Sequence, residues 1–182
     1  EKSAVNTANF EKVISVLEEM KTGGIIEKFA IGGAFAATLH NEPISTIDLD
    51  IFFLLKEKPD SVLLSLEKVH DFARHRGFSF DHEFINIHGW LVQFVEASHD
   101  DLWKEAIELA DIMKIGEFNV PVIGCEHLIA MWLLAGRAKD YQKIAVFWEA
   151  DILDLQRLAG ILERFGLSEK WEKEKWRLTD EP

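Results

Sequence analysis

Residues 29–55 read FAIGGAFAATLHNEPISTIDLDIFFLL, and this stretch decides the fold. An apolar run ends in Gly32-Gly33, an Ala-rich helical segment follows, and a turn at 41–43 leads into a strand that holds Asp48 and Asp50. The strand alternates: Ile47, Leu49, Ile51 and Phe53 point one way and the two aspartates the other. Residues two apart in a strand are separated by roughly 6.6 Å, so both carboxylates project from one face within reach of one or two shared divalent cations. Without a cation between them, each aspartate disfavours ionisation of its neighbour.

The two halves of the stretch suit one chemistry. Glycines at a strand-to-helix junction remove the Cβ that would block close backbone approach, and the helix N-terminus beyond them favours an anion such as phosphate. The aspartates supply the hard oxygen ligands that Mg²⁺ prefers. The bland alternative is an ordinary Gly-Gly turn beside a solvated strand face. Against it, Ile47, Leu49, Ile51, Phe52 and Phe53 are the flanks of a buried central strand, where lone aspartates are costly.

The order Gly-Gly, helix, Asp-hydrophobic-Asp resembles the signature of the nucleotidyltransferase superfamily of the polymerase beta type. Within it the chain is most similar to the small enzymes grouped with the AbiEii toxins of toxin-antitoxin systems. The residues that carry the likeness are Gly32-Gly33-Ala34, Ser45-Thr46 before the Asp pair, and Arg137-Ala138-Lys139-Asp140, so it touches roughly 25–145. The resemblance implies an α/β (α+β) nucleotidyltransferase-like fold, a small mixed sheet flanked by helices with a helical C-terminal portion. It implies that Gly32 and Gly33 approach a nucleoside triphosphate and that Asp48 and Asp50 hold two Mg²⁺ ions. Ser45 and Thr46 would contact the terminal phosphates, although a hydrogen-bonded turn is an equal account of Ser45. Lys139 would lie near the triphosphate, with Asp140 bracing the site; a solvated helix start with a local ion pair is the alternative.

Two departures from the family pattern matter. The strand beside the Asp pair usually carries a third acidic residue, where this chain has Gln93. An amide can orient a hydroxyl or bind a metal weakly but does not ionise, which makes it a poor general base. Glu96 lies close by but would face the opposite side of the strand, and Glu83 on the partner strand is a possible substitute. Many relatives also carry a lysine in the helix before the Arg-x-Lys-Asp segment, where this chain has Trp132.

Along the chain, apolar spacing predicts a helix over 8–20 and a first strand over 25–31. The glycine-led helix then runs to about His40 and the aspartate strand over about 46–55. A helix from Pro59-Asp60-Ser61 stops at Gly77, a strand covers 78–87, and Trp90–Val95 pairs with it as a hairpin after His88-Gly89. Asp100-Asp101 opens an amphipathic helix to about Leu109, and short strands follow at 112–115 and 118–123. The segment 126–135 is nearly all apolar and reads as a buried helix closed by Gly136. Ile152, Leu155, Leu158, Leu162 and Phe165 define another helix, and Ser168 caps a last one carrying Trp171 and Trp176. The expected division is an α/β portion, 1–124, and a helical portion, 125–182, packed on it.

Other features carry less. Asp81, His82 and His88 match no closed metal motif and suit turn or strand-edge positions better. Cys125 with His127 invites a nucleophile reading, but residues two apart on a helix do not face each other. A chain of 182 residues with 48% apolar content and four prolines reads as a packed globule. One cysteine excludes an internal disulfide, and no apolar run approaches the roughly 18 residues of a membrane helix or resembles a secretory leader, so the expectation is a cytoplasmic protein with no membrane partner. A formal charge of −12 disfavours a broad nucleic-acid grip.

The function expected from sequence is therefore transfer of a nucleotidyl group to an acceptor hydroxyl. A protein, a tRNA 3′ end and a small molecule all suit the same donor site. The alternatives are a module that binds nucleotide without turnover, and an interaction protein whose C-terminal tryptophans meet a protein partner or a second copy.

Overall fold

The computed structural model describes residues 7–40, 48–56 and 62–175. The chain forms α1 (Thr7–Thr22), β1 (Lys28–Ile31), α2 (Gly33–His40), β2 (Asp48–Leu54) and α3 (Val62–His75). Two hairpins then join β3 (Ser79–Asp81), β4 (Phe84–Ile87) and β5 (Trp90–Glu96). Next come α4 (Asp101–Glu108) and a third hairpin of β6 (Asp111–Ile115) and β7 (Phe118–Val122). Four helices close the chain: α5 (Cys125–Ala135), α6 (Ala138–Glu149), α7 (Leu155–Arg164) and α8 (Ser168–Glu174). No helix among the described residues is long and apolar enough to cross a membrane.

The strands make one sheet in the order β3-β4-β5-β2-β1-β7-β6. Its centre is β2, antiparallel to β1 and parallel to β5, while β1 is parallel to β7 and the outer pairs are antiparallel. The α/β class and the mixed sheet flanked by helices are as expected. A parallel neighbour needs a crossover, and α3 with the two hairpins carries the chain from β2 round to β5.

The alternation in β2 sorts the sheet into two faces. Leu49, Ile51 and Phe53 have no exposed surface, and Val92 joins them from β5. On this face Phe10 of α1 and Phe35 of α2 meet Trp90 edge-on, with ring centroids 5.4 and 5.3 Å away. Each such side chain contributes roughly 1.5–3 kcal/mol by leaving water. The opposite face carries Asp48, Asp50 and Phe52; Trp103 of α4 covers Phe52 at 5.4 Å, edge to face.

Behind that face stands α5, whose Leu128, Ile129, Ala130 and Leu133 are at most 1% exposed. Gly136 ends it in the left-handed region at φ 66°, its N–H donating to the Trp132 carbonyl at 2.9 Å, and the chain turns back as α6. Farther on, Trp171 of α8 packs on Trp148 of α6 at 5.8 Å between centroids. Trp171 is thus docked on its own chain, and Trp176 lies outside the described residues.

Several expected boundaries move. The strand read over 78–87 is two strands, because His82 takes a left-handed φ of 53° and folds β3 back on β4 with Asp81 opposite Phe84. The first strand begins at Lys28 rather than Ile25. Ile152 precedes its helix instead of belonging to it: Asp151 sits at φ 52°, and α7 starts only where Asp154 accepts from the N–H groups of Gln156 and Arg157, each at 3.0 Å. Ser168 is the first residue of α8 and makes no cap hydrogen bond; Leu167 holds the cap position.

Candidate functional site

The aspartate strand begins beside the glycine junction, and backbone pairing fixes the distance. The Gly32 N–H donates to the Asp50 carbonyl at 2.9 Å. A Cβ on Gly32 would stand 2.4 Å from the Phe52 ring, and one on Gly33 only 1.7 Å from Asp50 Oδ2. Gly33 also has φ 60°. A side chain at either glycine would therefore displace Phe52 or Asp50 on β2, and the N-terminus of α2 abuts the Asp50 carboxylate.

These residues line a cleft of about 660 Å³ between the sheet and the helices after it. Asp48, Asp50 and Gln93 form its floor, with Gln93 directly beside Asp50 in the parallel register. Glu83 and Phe84 reach it from the β3–β4 turn. Glu96, the other carboxylate considered as a substitute, is buried on the opposite side of the sheet, where its Oε1 accepts from the Ser98 N–H at 2.7 Å. Across the cleft stand Trp132 of α5 and the three cations Arg137, Lys139 and Lys143.

Asp140 organises that cationic wall. It has no exposed surface, and its carboxylate accepts a two-pronged hydrogen bond from Arg137, Nε to Oδ2 at 2.6 Å and Nη2 to Oδ1 at 3.1 Å. Lys143 Nζ lies 3.5 Å from the same Oδ1 and 5.2 Å above the centre of the Trp132 ring. Burial alone would raise the proton affinity of Asp140, but the hydrogen bond and charge of Arg137, with Lys143, outweigh it and hold the carboxyl below its ordinary range.

Asp50 is displaced in the opposite sense. Burial pushes it above the ordinary carboxylate range; Lys143 pulls it down, Asp48 pushes it further up, and Lys139 and Arg137 offset only part of the total. A divalent cation between Asp48 and Asp50 would offset the cost of burying the Asp50 charge and their mutual repulsion, and the side-chain oxygens that Asp48, Asp50 and Gln93 bring to the cleft are of the hard kind that Mg²⁺ takes.

Most of the residues picked from sequence thus come together: Gly33, Asp48, Asp50, Gln93 and Lys139 line one cleft, Gly32 adjoins it against Phe52, and Asp140 lies buried beneath its cationic wall. Ser45 and Thr46 lie outside the described residues. Sequence reasoning missed Lys143, although it stands four residues after Lys139 and three after Asp140, the spacing of one helix face. It also missed Trp103 and Phe52, which long-range packing alone brings together.

The remaining candidates fall elsewhere. His82 and His88 occupy turns at φ 53° and 52°, and no cluster of three or more His, Cys, Asp or Glu side chains suited to a metal occurs among the described residues. Cys125 is buried, with its thiol pushed up to about 12 by burial and by the charges of Glu126 and Asp111. His127 faces away towards Glu105, Nε2 to Oε1 3.1 Å.

No protein-family model matches the chain, and no curated protein sequence matches it. Among solved structures it is similar to the antibiotic-resistance factor ANT(2'')-Ia in solution, with 15% identity and a TM-score of 0.48 over 92% of this chain and 96% of that one. It is similar also to crystalline ANT(2'')-Ia in complex with adenylyl-2''-tobramycin, with 15% identity and a TM-score of 0.45 over 97% of this chain and 98% of that one.

Proposed function

We propose that the cleft binds a nucleoside triphosphate with Mg²⁺ and transfers its nucleotidyl group to an acceptor hydroxyl. The observation that carries this reading is the juxtaposition of Asp48 and Asp50, a glycine junction packed against Asp50, and a facing wall of cations. Asp48 and Asp50 would hold Mg²⁺, which when bound polarises phosphate oxygens and clamps the attacking and leaving groups. Gly33, at the start of α2, would bring backbone to the phosphates beside Asp50, and Gly32 would hold that junction close against β2; Ser45 and Thr46, between α2 and β2 in sequence, would contact the terminal phosphates. Lys139 neutralises charge on the leaving group, and Asp140 braces the wall by holding Arg137.

The acceptor oxygen bonds to the α-phosphorus, the bond from that phosphorus to the bridging oxygen breaks, and pyrophosphate leaves. Gln93 orients the acceptor hydroxyl but cannot take its proton. Glu83 is the carboxylate assigned to that proton, since it lines the cleft and Glu96 does not. In this division of labour 1–124 carries the metal and 125–182 the cations.

The resemblance to AbiEii-like proteins supports a finer reading, a cytoplasmic enzyme of a toxin-antitoxin pair whose acceptor is a protein, a tRNA or a small molecule. Gln93 favours a second reading, a module that binds nucleotide and does not turn it over. Calorimetric titration of the four nucleoside triphosphates, with and without Mg²⁺, separates these. Binding is expected to depend on Mg²⁺ and to vanish in Asp48→Ala and Asp50→Ala, with transfer falling by more than the roughly 10–100-fold typical of losing an outer-shell metal partner. Full activity in either variant would remove the metal assignment; binding with no transfer to any acceptor would select the second reading.

A further inference from the structure

We propose that Lys143 is the principal phosphate-binding cation of the cleft, positioned for that task by Asp140 and Trp132. The proposal rests on the triphosphate reading above and names a residue that the sequence motif does not contain. Two observations converge on it. Lys143 lines the same cleft as Asp48 and Asp50. Its ammonium is held at two points, 3.5 Å from Asp140 Oδ1 and 5.2 Å above the Trp132 ring centre, so a flexible side chain is ordered before any ligand arrives.

The other cations are less well placed to serve. Arg137 commits two donors to Asp140, while its side chain is 58% exposed. Lys139 lies on the exposed first turn of α6. Lys143 is only 23% exposed, so its charge meets less solvent screening and acts more strongly on an anion in the cleft. A polyphosphate can draw the ammonium from Asp140 without leaving that carboxylate unpaired, because Arg137 still holds it by two hydrogen bonds.

The test uses inorganic tripolyphosphate and pyrophosphate with Mg²⁺, which removes any dependence on the base. Calorimetry on the full chain should find tripolyphosphate binding weakened about tenfold or more in Lys143→Met, the loss expected for one charge-assisted contact. Pyrophosphate should lose less. Lys143→Arg should recover most of the affinity, which a merely structural role for the alkyl stem would not require. Trp132→Leu should weaken tripolyphosphate binding too, and combining it with Lys143→Met should add little further, since both act on one ammonium. Wild-type binding that survives Lys143→Met within twofold would overturn the assignment and leave the triphosphate reading standing. Absence of Mg²⁺-dependent binding of tripolyphosphate and of every nucleoside triphosphate to the wild type would overturn both.

Discussion

Gly33 holds the tightest constraint in the site. An added methyl would overlap Asp50 Oδ2 at 1.7 Å, and the backbone already stands at φ 60°, where an L side chain costs about 1–2 kcal/mol. Gly77 offers a matched control: its φ is 72° and nothing lies within 4 Å of its Cβ position. Gly77→Ala is expected to lower stability by that conformational cost alone, about 1–2 kcal/mol. Gly33→Ala should lose more, and should also lose Mg²⁺-dependent nucleotide binding as Asp50 is displaced. Denaturant midpoints of both variants, with calorimetry on each, check this; equal losses of stability with binding retained would show that the glycine serves the turn and not the carboxylate.

At the scale of elements, the cationic wall depends on how α5 hands over to α6. Gly136 reverses the chain and Asp140 then fastens Arg137 and Lys143, so one buried carboxylate sets the wall. Its depressed proton affinity in the folded state stabilises the fold wherever the unfolded carboxyl is ionised, above its ordinary value of about 3.9. That contribution is lost as pH falls through the lower folded value. Asp140→Asn should therefore cost about 1–2 kcal/mol at neutral pH, moderated by the exposure of Arg137, and the gap to wild type should close as pH drops below about 4. Urea midpoints from pH 7 to pH 3 measure it; a gap that stayed constant would deny the ion pair its part. Elements of this kind were legible where period and punctuation agreed, as at 29–40, 48–55, α4 and α5. They were not legible where a residue other than glycine took a left-handed turn with no glycine beside it. His82 hid the β3–β4 hairpin inside an alternating run, and Asp151 with the Asp154 cap displaced the start of α7. Lys143 was hidden differently, since its neighbours on one helix face gain meaning only once α6 is seen to border the cleft.

Over the whole molecule, a formal charge of −12 coexists with one local cationic wall, built where the helices after the sheet close over β2. The overall charge repels nucleic acid at long range, while the wall suits a compact anion already escorted by a divalent cation. The fold class followed from one stretch, but the cleft did not, because its two sides are separated by about half the chain. Two of the five tryptophans among the described residues, Trp103 and Trp132, line that cleft, the first against Phe52 and the second beneath Lys143. The protein thus carries its own optical reporter: an occupant that displaces the Lys143 ammonium from the Trp132 indole alters the emission of that ring, and a nucleotide titration should be readable as a saturable change in intrinsic fluorescence that Trp132→Phe diminishes and a tryptophan remote from the cleft does not.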